Sequence, residues 1–160
     1  MKGRAEVFRL KSQVDDVFQQ VQQIEPGELE LRSHFARYLA IRVSGFTEKS
    51  IQELAMQCAR RMSGGQALSY SLARLDRSRN PNLDSILSLV GDFDPTWRAE
   101  LESFIQDEHK AAIGTVVAQR NLLAHGGMTS LTYASVAVHY ALIWEVIEFL
   151  MERFDPRPRV

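Results

Sequence analysis

The chain has 160 residues, 45% of them hydrophobic and 24% charged. Those proportions belong to an ordinary globular domain and exclude disorder, a collagenous repeat and a disulfide scaffold. Lys and Arg number 19 against 20 Asp and Glu, a net charge of −1, so a polyanion can be held only by a local patch.

At this length a folded chain buries about 70% of the surface its unfolded form exposes, which predicts one domain with a core that needs no staples. We expect a single domain over residues 1–155 and a short tail over 156–160. The one cysteine, Cys58, cannot close an intramolecular bridge and suits a reducing compartment. Its neighbours Leu54, Ala55 and Met62 mark it as a small buried side chain. The start of the chain returns to charge at Arg9 and Lys11 and leaves no apolar stretch of export length. No run of about 18 apolar residues predicts a membrane span, so the expectation is a cytoplasmic soluble domain.

The elements read as helices from end to end. Val7, Leu10, Val14, Val17, Val21 and Ile24 recur at steps of three and four and form one apolar seam. Pro26-Gly27 ends that stretch, and a second helix is expected from Glu28 to about Met62, with Gly45 as a kink or close crossing. Leu31, Phe35, Tyr38, Leu39, Phe46, Leu54 and Cys58 mark its apolar side. Ser63-Gly64-Gly65 stops it, and residues 66–79 form a short helix with Leu68, Leu72 and Leu75 on one face. Asn80-Pro81-Asn82 is a turn whose Asn82 caps a helix from Leu83 to Val90, ended by Gly91. Asp94-Pro95 is a further start signal, an acceptor at the N-cap before proline at the first helical position. The helix it opens runs past Phe104 towards the 107–124 segment with a break near His109, and Gly126-Gly127 stops it. The last helix spans about Thr132 to Phe154. With no alternating strand pattern, the architecture is an all-α bundle: a four-helix core with extra short helices between its two halves.

Several chemistries lack their residues. No glycine-rich loop ends in Gly-Lys-Ser or Gly-Lys-Thr. The histidines His34, His109, His125 and His139 contain no four-residue pair, none follows a Glu at three residues, and there is no Cys-x-x-Cys. We therefore expect no metal site and no cofactor.

The informative segment is Arg120-Asn121-Leu122-Leu123-Ala124-His125-Gly126-Gly127. Five residues along a helix is about 140° around it, so Arg120 and His125 would not share a face. If the helix stops near Ala124, the backbone can turn the His125 ring back towards Arg120, and a helix C-terminus favours the imidazolium. Such groups suit RNA cleavage without a metal, because the 2′-hydroxyl supplies the nucleophile. A histidine serves as general acid or base, and a forked guanidinium matches phosphate oxygens. Asn121 can orient the histidine or donate to phosphate. One chain offers one such set; a symmetric dimer would gather two around one phosphate. The same spacing also permits a plainer arrangement, with Arg120 paired to an acidic neighbour such as Glu48 and His125 a helix cap.

This segment resembles the signature of the HEPN superfamily, Arg-x(4–6)-His with a polar residue after the arginine. Phe35 to Ile51 is similar to the second helix of the RiboL-PSP/MAE-like HEPN groups, and so is the Asn80-Pro-Asn…Ile86…Phe93…Trp97 section. Together the likeness covers about residues 30–150. It implies a metal-independent ribonuclease, often a toxin or defence effector, with a composite site at a homodimer interface. Arg120 and His125 match the catalytic pair, Asn121 the intervening polar residue and Glu48 an acidic position on the second helix. Members silenced by nucleotide transfer carry a tyrosine two residues after the histidine, where this chain has Gly127.

Residues 60–79 hold Arg60, Arg61, Arg74, Arg77 and Arg79 against Asp76 alone, the best candidate contact for an RNA backbone. Trp97 and Trp144 are expected as core or interface anchors, Tyr38 and Tyr140 on apolar faces, His34 and His139 as satisfied structural histidines, and His109 as a solvated turn residue. The expected partners are an RNA substrate, a second copy of the chain, and an antitoxin or companion defence protein. The alternative function is a non-catalytic module that recognises a partner protein or nucleotide and uses the Arg–His pair to hold an interface.

Overall fold

The computed structural model describes residues 2–77, 82–127 and 130–157. Their helices are α1 (Arg4–Gln22), α2 (Leu29–Met62), α3 (Gly65–Arg77), α4 (Leu83–Phe93), α5 (Pro95–Phe104), α6 (Asp107–Ala124) and α7 (Tyr133–Phe154), and the described residues contain no strand. The four long helices α1, α2, α6 and α7 pack on one another, while α3 lies on α2 and α4 on α5. The all-α bundle with inserted short helices is thus the fold.

Local signals set the boundaries. Asn82 accepts from the Ser85 amide at 2.8 Å, and Asp94 Oδ1 accepts from the Thr96 amide at 2.7 Å with Pro95 at the first helical position. Thr132 and Ser135 form a reciprocal capping box that starts α7. Capping of this kind is typically worth about 1 kcal/mol per helix.

The core fills from the periodic seams. Val7, Val14 and Val21 of α1 are buried against Leu39, Val43 and Leu54 of α2 and Ile143, Ile147 and Leu150 of α7. Phe18 stacks on Tyr140 at 5.0 Å, and Phe46 meets the same ring edge-on at 5.6 Å. Trp97 packs edge-on against Phe154, and Trp144 lies beside Phe8 and Phe46, so both tryptophans anchor the core. Cys58 is fully buried, which pushes its thiol pKa up. With 22 residues and a mean hydropathy of 1.5, α7 is long and apolar enough to cross a membrane. Here Val136, Tyr140, Ile143, Val146, Ile147, Leu150, Met151 and Phe154 are buried in the core, while Glu145, Glu148 and Glu152 are exposed.

Several expectations are corrected. Gly91 does not end α4, which continues to Phe93; Asp94 ends it and caps α5. Gly45 lies inside the continuous α2 with nothing near the place of a Cβ, so it is not a close crossing. The break between α5 and α6 falls at Ile105–Gln106, ahead of His109. His109 is buried in the first turn of α6, where Nδ1 accepts from the Gln106 amide at 3.0 Å and Nε2 lies 2.9 Å from Glu145. Since Nδ1 accepts, Nε2 carries the proton and donates to Glu145. Tyr38 and His34 are exposed on the outer side of α2. His139 is half-buried, and its Nδ1 is buried without a hydrogen-bond partner among the described residues.

Candidate functional site

α6 carries the arginine and the histidine to the end of the bundle. By helical count, Arg120 leaves α6 on the side of the buried Ile113 and Val116, close to α2. Its Nη1 donates to Glu48 Oε2 at 3.1 Å, an ion pair across 72 residues of sequence. The Glu48 side chain is 16% exposed and that of Arg120 39%. A half-exposed pair contributes at most about 1 kcal/mol; its consequence is orientation. The guanidinium is steered by one bond and keeps further N–H groups for a ligand.

His125 is the C-cap of α6, with φ −99° and ψ 14°. The chain reverses one residue later, at Gly126, whose φ is +75°. The Gly127 amide then donates to the Leu122 carbonyl at 2.8 Å and the Gly126 amide to Leu123 at 3.1 Å. This is the Schellman stop, in which a left-handed residue lets the last carbonyls find donors. Both glycines serve this stop. A side chain at Gly126 would be strained by its φ, and a Cβ on Gly127 would come within 2.9 Å of the Leu122 carbonyl oxygen.

The helix stops at Ala124, as the sequence suggested. Because the reversal comes one residue after His125, its backbone keeps the helical phase, about 140° round from Arg120. Among the described residues no hydrogen bond or ion pair joins them. His125 instead continues the outward line of Ala111, Gly114 and Ala118, all exposed. Asn121 is also exposed, and its side chain bonds to neither residue. The structure brings Glu48 to Arg120 and leaves Asn121 and His125 open on the surface.

The arginine cluster is less compact than its sequence. Arg60 and Arg61 end α2, where Arg60 Nη1 is buried without a partner among the described residues and Arg61 lies 3.8 Å from Asp155. Arg74 and Arg77 end α3 and are exposed. Gln52 donates to the carbonyls of Leu75 at 3.2 Å and Asp76 at 3.3 Å, so this end of α3 lies level with Gln52. That is eight residues before Arg60 on α2, roughly 12 Å along the helix. Arg74 nonetheless lines the same cleft as Ala59 and Met62, so the cluster is spread over the ends of two helices, and Arg79 lies outside the described residues. Among the described residues no three His, Cys, Asp or Glu side chains gather as metal ligands.

A cleft between α3 and α4, lined in part by Arg74, Asp84 and Asp92, was not legible as a site. Its one sequence signal is the spacing of Asp84, Ser88 and Asp92, which puts them on one face of α4.

Residues 6–155 match the protein family described as RiboL-PSP-HEPN. No curated protein and no solved structure gives a significant match.

Proposed function

The chain belongs to the RiboL-PSP-HEPN family, and from that premise we propose that it is a metal-independent endoribonuclease working as a homodimer in the cytoplasm, of the toxin or defence-effector kind. The observation that carries this reading is the end of α6. Arg120 is steered by Glu48, while His125 stands exposed on the same helix with both ring nitrogens free of partners among the described residues.

The chemistry follows from those groups. A histidine takes the 2′-hydroxyl proton, O2′ attacks phosphorus, the bond from phosphorus to O5′ breaks, and a second proton donor supplies the leaving oxygen. The products are a 2′,3′-cyclic phosphate and a 5′-hydroxyl. Base and acid act on opposite sides of one phosphorus, and a chain with one exposed histidine at its site supplies one of them. Two copies meeting along α6 supply both, with Arg120 neutralising the crowded phosphorane oxygens and Asn121 orienting a histidine or donating to phosphate. The small exposed residues Ala111, Gly114 and Ala118 favour such a meeting, since the distance between packed helices is set by the side chains at their contact. Positioned acid–base groups contribute about 10²–10⁴-fold, and loss of a charge-stabilising group costs about 10²–10³-fold.

The test is incubation of purified protein with structured and unstructured RNA in EDTA, beside His125→Ala. Cleavage by the wild type alone, leaving cyclic-phosphate ends, is the expected result. A folded His125→Ala protein with full activity overturns the assignment.

One observation favours a second reading. Arg120 is ion-paired within the chain and does not touch His125, as in a non-catalytic module that recognises a partner protein or nucleotide. In that case Arg120→Ala weakens assembly in sedimentation and no RNA is cut.

A further inference from the structure

The geometry points to the cleft between α3 and α4 as the docking site of an amphipathic helix from a partner protein, one whose basic side chains meet Asp84 and Asp92. This inference is independent of RNA cleavage.

α3 is lightly held in the fold. Of its residues only Leu75 is buried; it rests mainly on α2, and Leu89 and Phe93 of α4 pack against the cluster around Leu75. Between α3 and α4 lies a cleft of about 700 Å³, within the size of sites that take a ligand. Leu89 and Phe93 contribute apolar surface to its floor, and exposed Met62 and Tyr70 stand at its rim. Methionine and tyrosine are residues that adapt to, and anchor, apolar partners.

The charges select the partner. Asp84 and Asp92 lie eight residues apart on one wall, roughly 12 Å along α4, and Arg74 stands among the lining residues from α3. None of the three has an ion pair among the described residues. Among the described lining residues two carboxylates stand against one guanidinium, a local net of −1 that opposes a phosphate backbone. Arg74 belongs by sequence to the arginine cluster, yet its surroundings disfavour RNA there. A helical segment fits instead. Its basic residues seven or eight apart span the separation of the aspartates, and the apolar residues between them descend onto Leu89 and Phe93. The cleft sits at the Ala59–Ser63 end of α2, at least 11 residues from Glu48, so docking there leaves the Arg120 region uncovered.

The test uses two dye-labelled helical peptides of about 18 residues. One carries a leucine face flanked by two lysines eight residues apart; its twin has glutamates in place of the lysines. Fluorescence anisotropy should show the lysine peptide binding the full chain at least about tenfold tighter. The double variant Asp84→Lys/Asp92→Lys should invert that preference. Ser88→Trp, which fills the cleft without changing charge, should abolish binding while circular dichroism shows intact helices. Equal affinity for both peptides, no binding, or an unchanged preference in the double variant overturns the proposal. Two other outcomes overturn it by naming another occupant. Tighter binding of a labelled single-stranded RNA by wild type than by Arg74→Ala assigns the cleft to RNA. Self-association that is lost in Asp92→Lys assigns it to a second copy.

Discussion

The presentation of His125 rests on two glycines, and substituting each alone separates two physical causes. Gly126 has φ +75°, where an L-residue pays a steric penalty of about 1–2 kcal/mol. Asparagine tolerates that region, so Gly126→Asn should cost much less than Gly126→Ala. Gly127→Ala acts differently, through space. Its Cβ would lie 2.6 Å from Leu122 Cγ and 2.9 Å from the Leu122 carbonyl oxygen. The Leu122 side chain is 41% exposed and can move aside, but the carbonyl is the acceptor of the Gly127 amide at 2.8 Å. That hydrogen bond must stretch or break, a loss of about 1 kcal/mol. For a domain of this size each kcal/mol is roughly 2–4 °C in Tm. Thermal melts of the single variants, with hydrogen exchange at the amides of His125, Gly126 and Gly127, measure both effects. Adding Leu122→Ala to Gly127→Ala should recover only part of the loss, because the carbonyl clash remains. Equal melting of Gly126→Ala, Gly126→Asn and wild type would refute the reasoning, as would full recovery by Leu122→Ala.

Two further predictions concern histidines outside the candidate site. His109→Leu removes the acceptor of the Gln106 amide and the bond to Glu145, so urea unfolding should show a loss of about 1–3 kcal/mol. Wild-type stability in that variant would contradict the role given to His109 in joining the α5–α6 corner to α7. His139 has its pKa pushed below the usual histidine range by burial, so the unfolded chain binds its proton more readily than the native one. Its stabilising effect is present above the unfolded pKa of about 6.5 and is lost as pH falls from there through the lowered folded pKa. Between pH 7.5 and 5.5 the wild type should therefore lose more unfolding free energy than His139→Gln, and equal losses would remove His139 from the acid response.

Local signals carried most of the fold. Asn82, Asp94-Pro95 and Gly126-Gly127 each act on amides or carbonyls within a few residues, so their effect is readable from neighbours alone. His109 shows where that reading stops. Its neighbours Asp107, Glu108 and Lys110 are polar and exposed, which suggests solvent, whereas its burial depends on the helical phase at Gln106 and on Glu145, 36 residues away. Gly91 misled for a related reason: glycine weakens a helix by about 1 kcal/mol, and α4 tolerates that because Ile86 and Val90 are buried. The arginine cluster is spread over two helices, with Arg60 and Arg61 at the end of α2 and Arg74 and Arg77 at the end of α3, because the chain doubles back between them. At the candidate site the pairing of Arg120 with Glu48 was legible, whereas the direction of His125 was not, because it turns on which residue takes the positive φ.

That direction gives the five-residue spacing a physical meaning for the proposed nuclease. A histidine four residues after Arg120 would lie about 40° from it, on the same helical face, and both side chains would crowd against Glu48. Five residues turns the histidine about 140° away, onto the outward line of Ala111, Gly114 and Ala118. The Schellman stop then holds it there by reversing the chain after it and not before. Within one chain this separates the cation from the base. Across the two-fold axis of the proposed homodimer, the same separation would let the histidine of one copy approach a phosphate from the side opposite its counterpart, with an arginine on each flank. The residues that end α6 and the residues proposed to do chemistry are therefore one device. On that proposal the helix stop belongs to the site, and a change to Gly126 or Gly127 is expected to alter RNA cleavage through the position of His125 without touching a reacting atom.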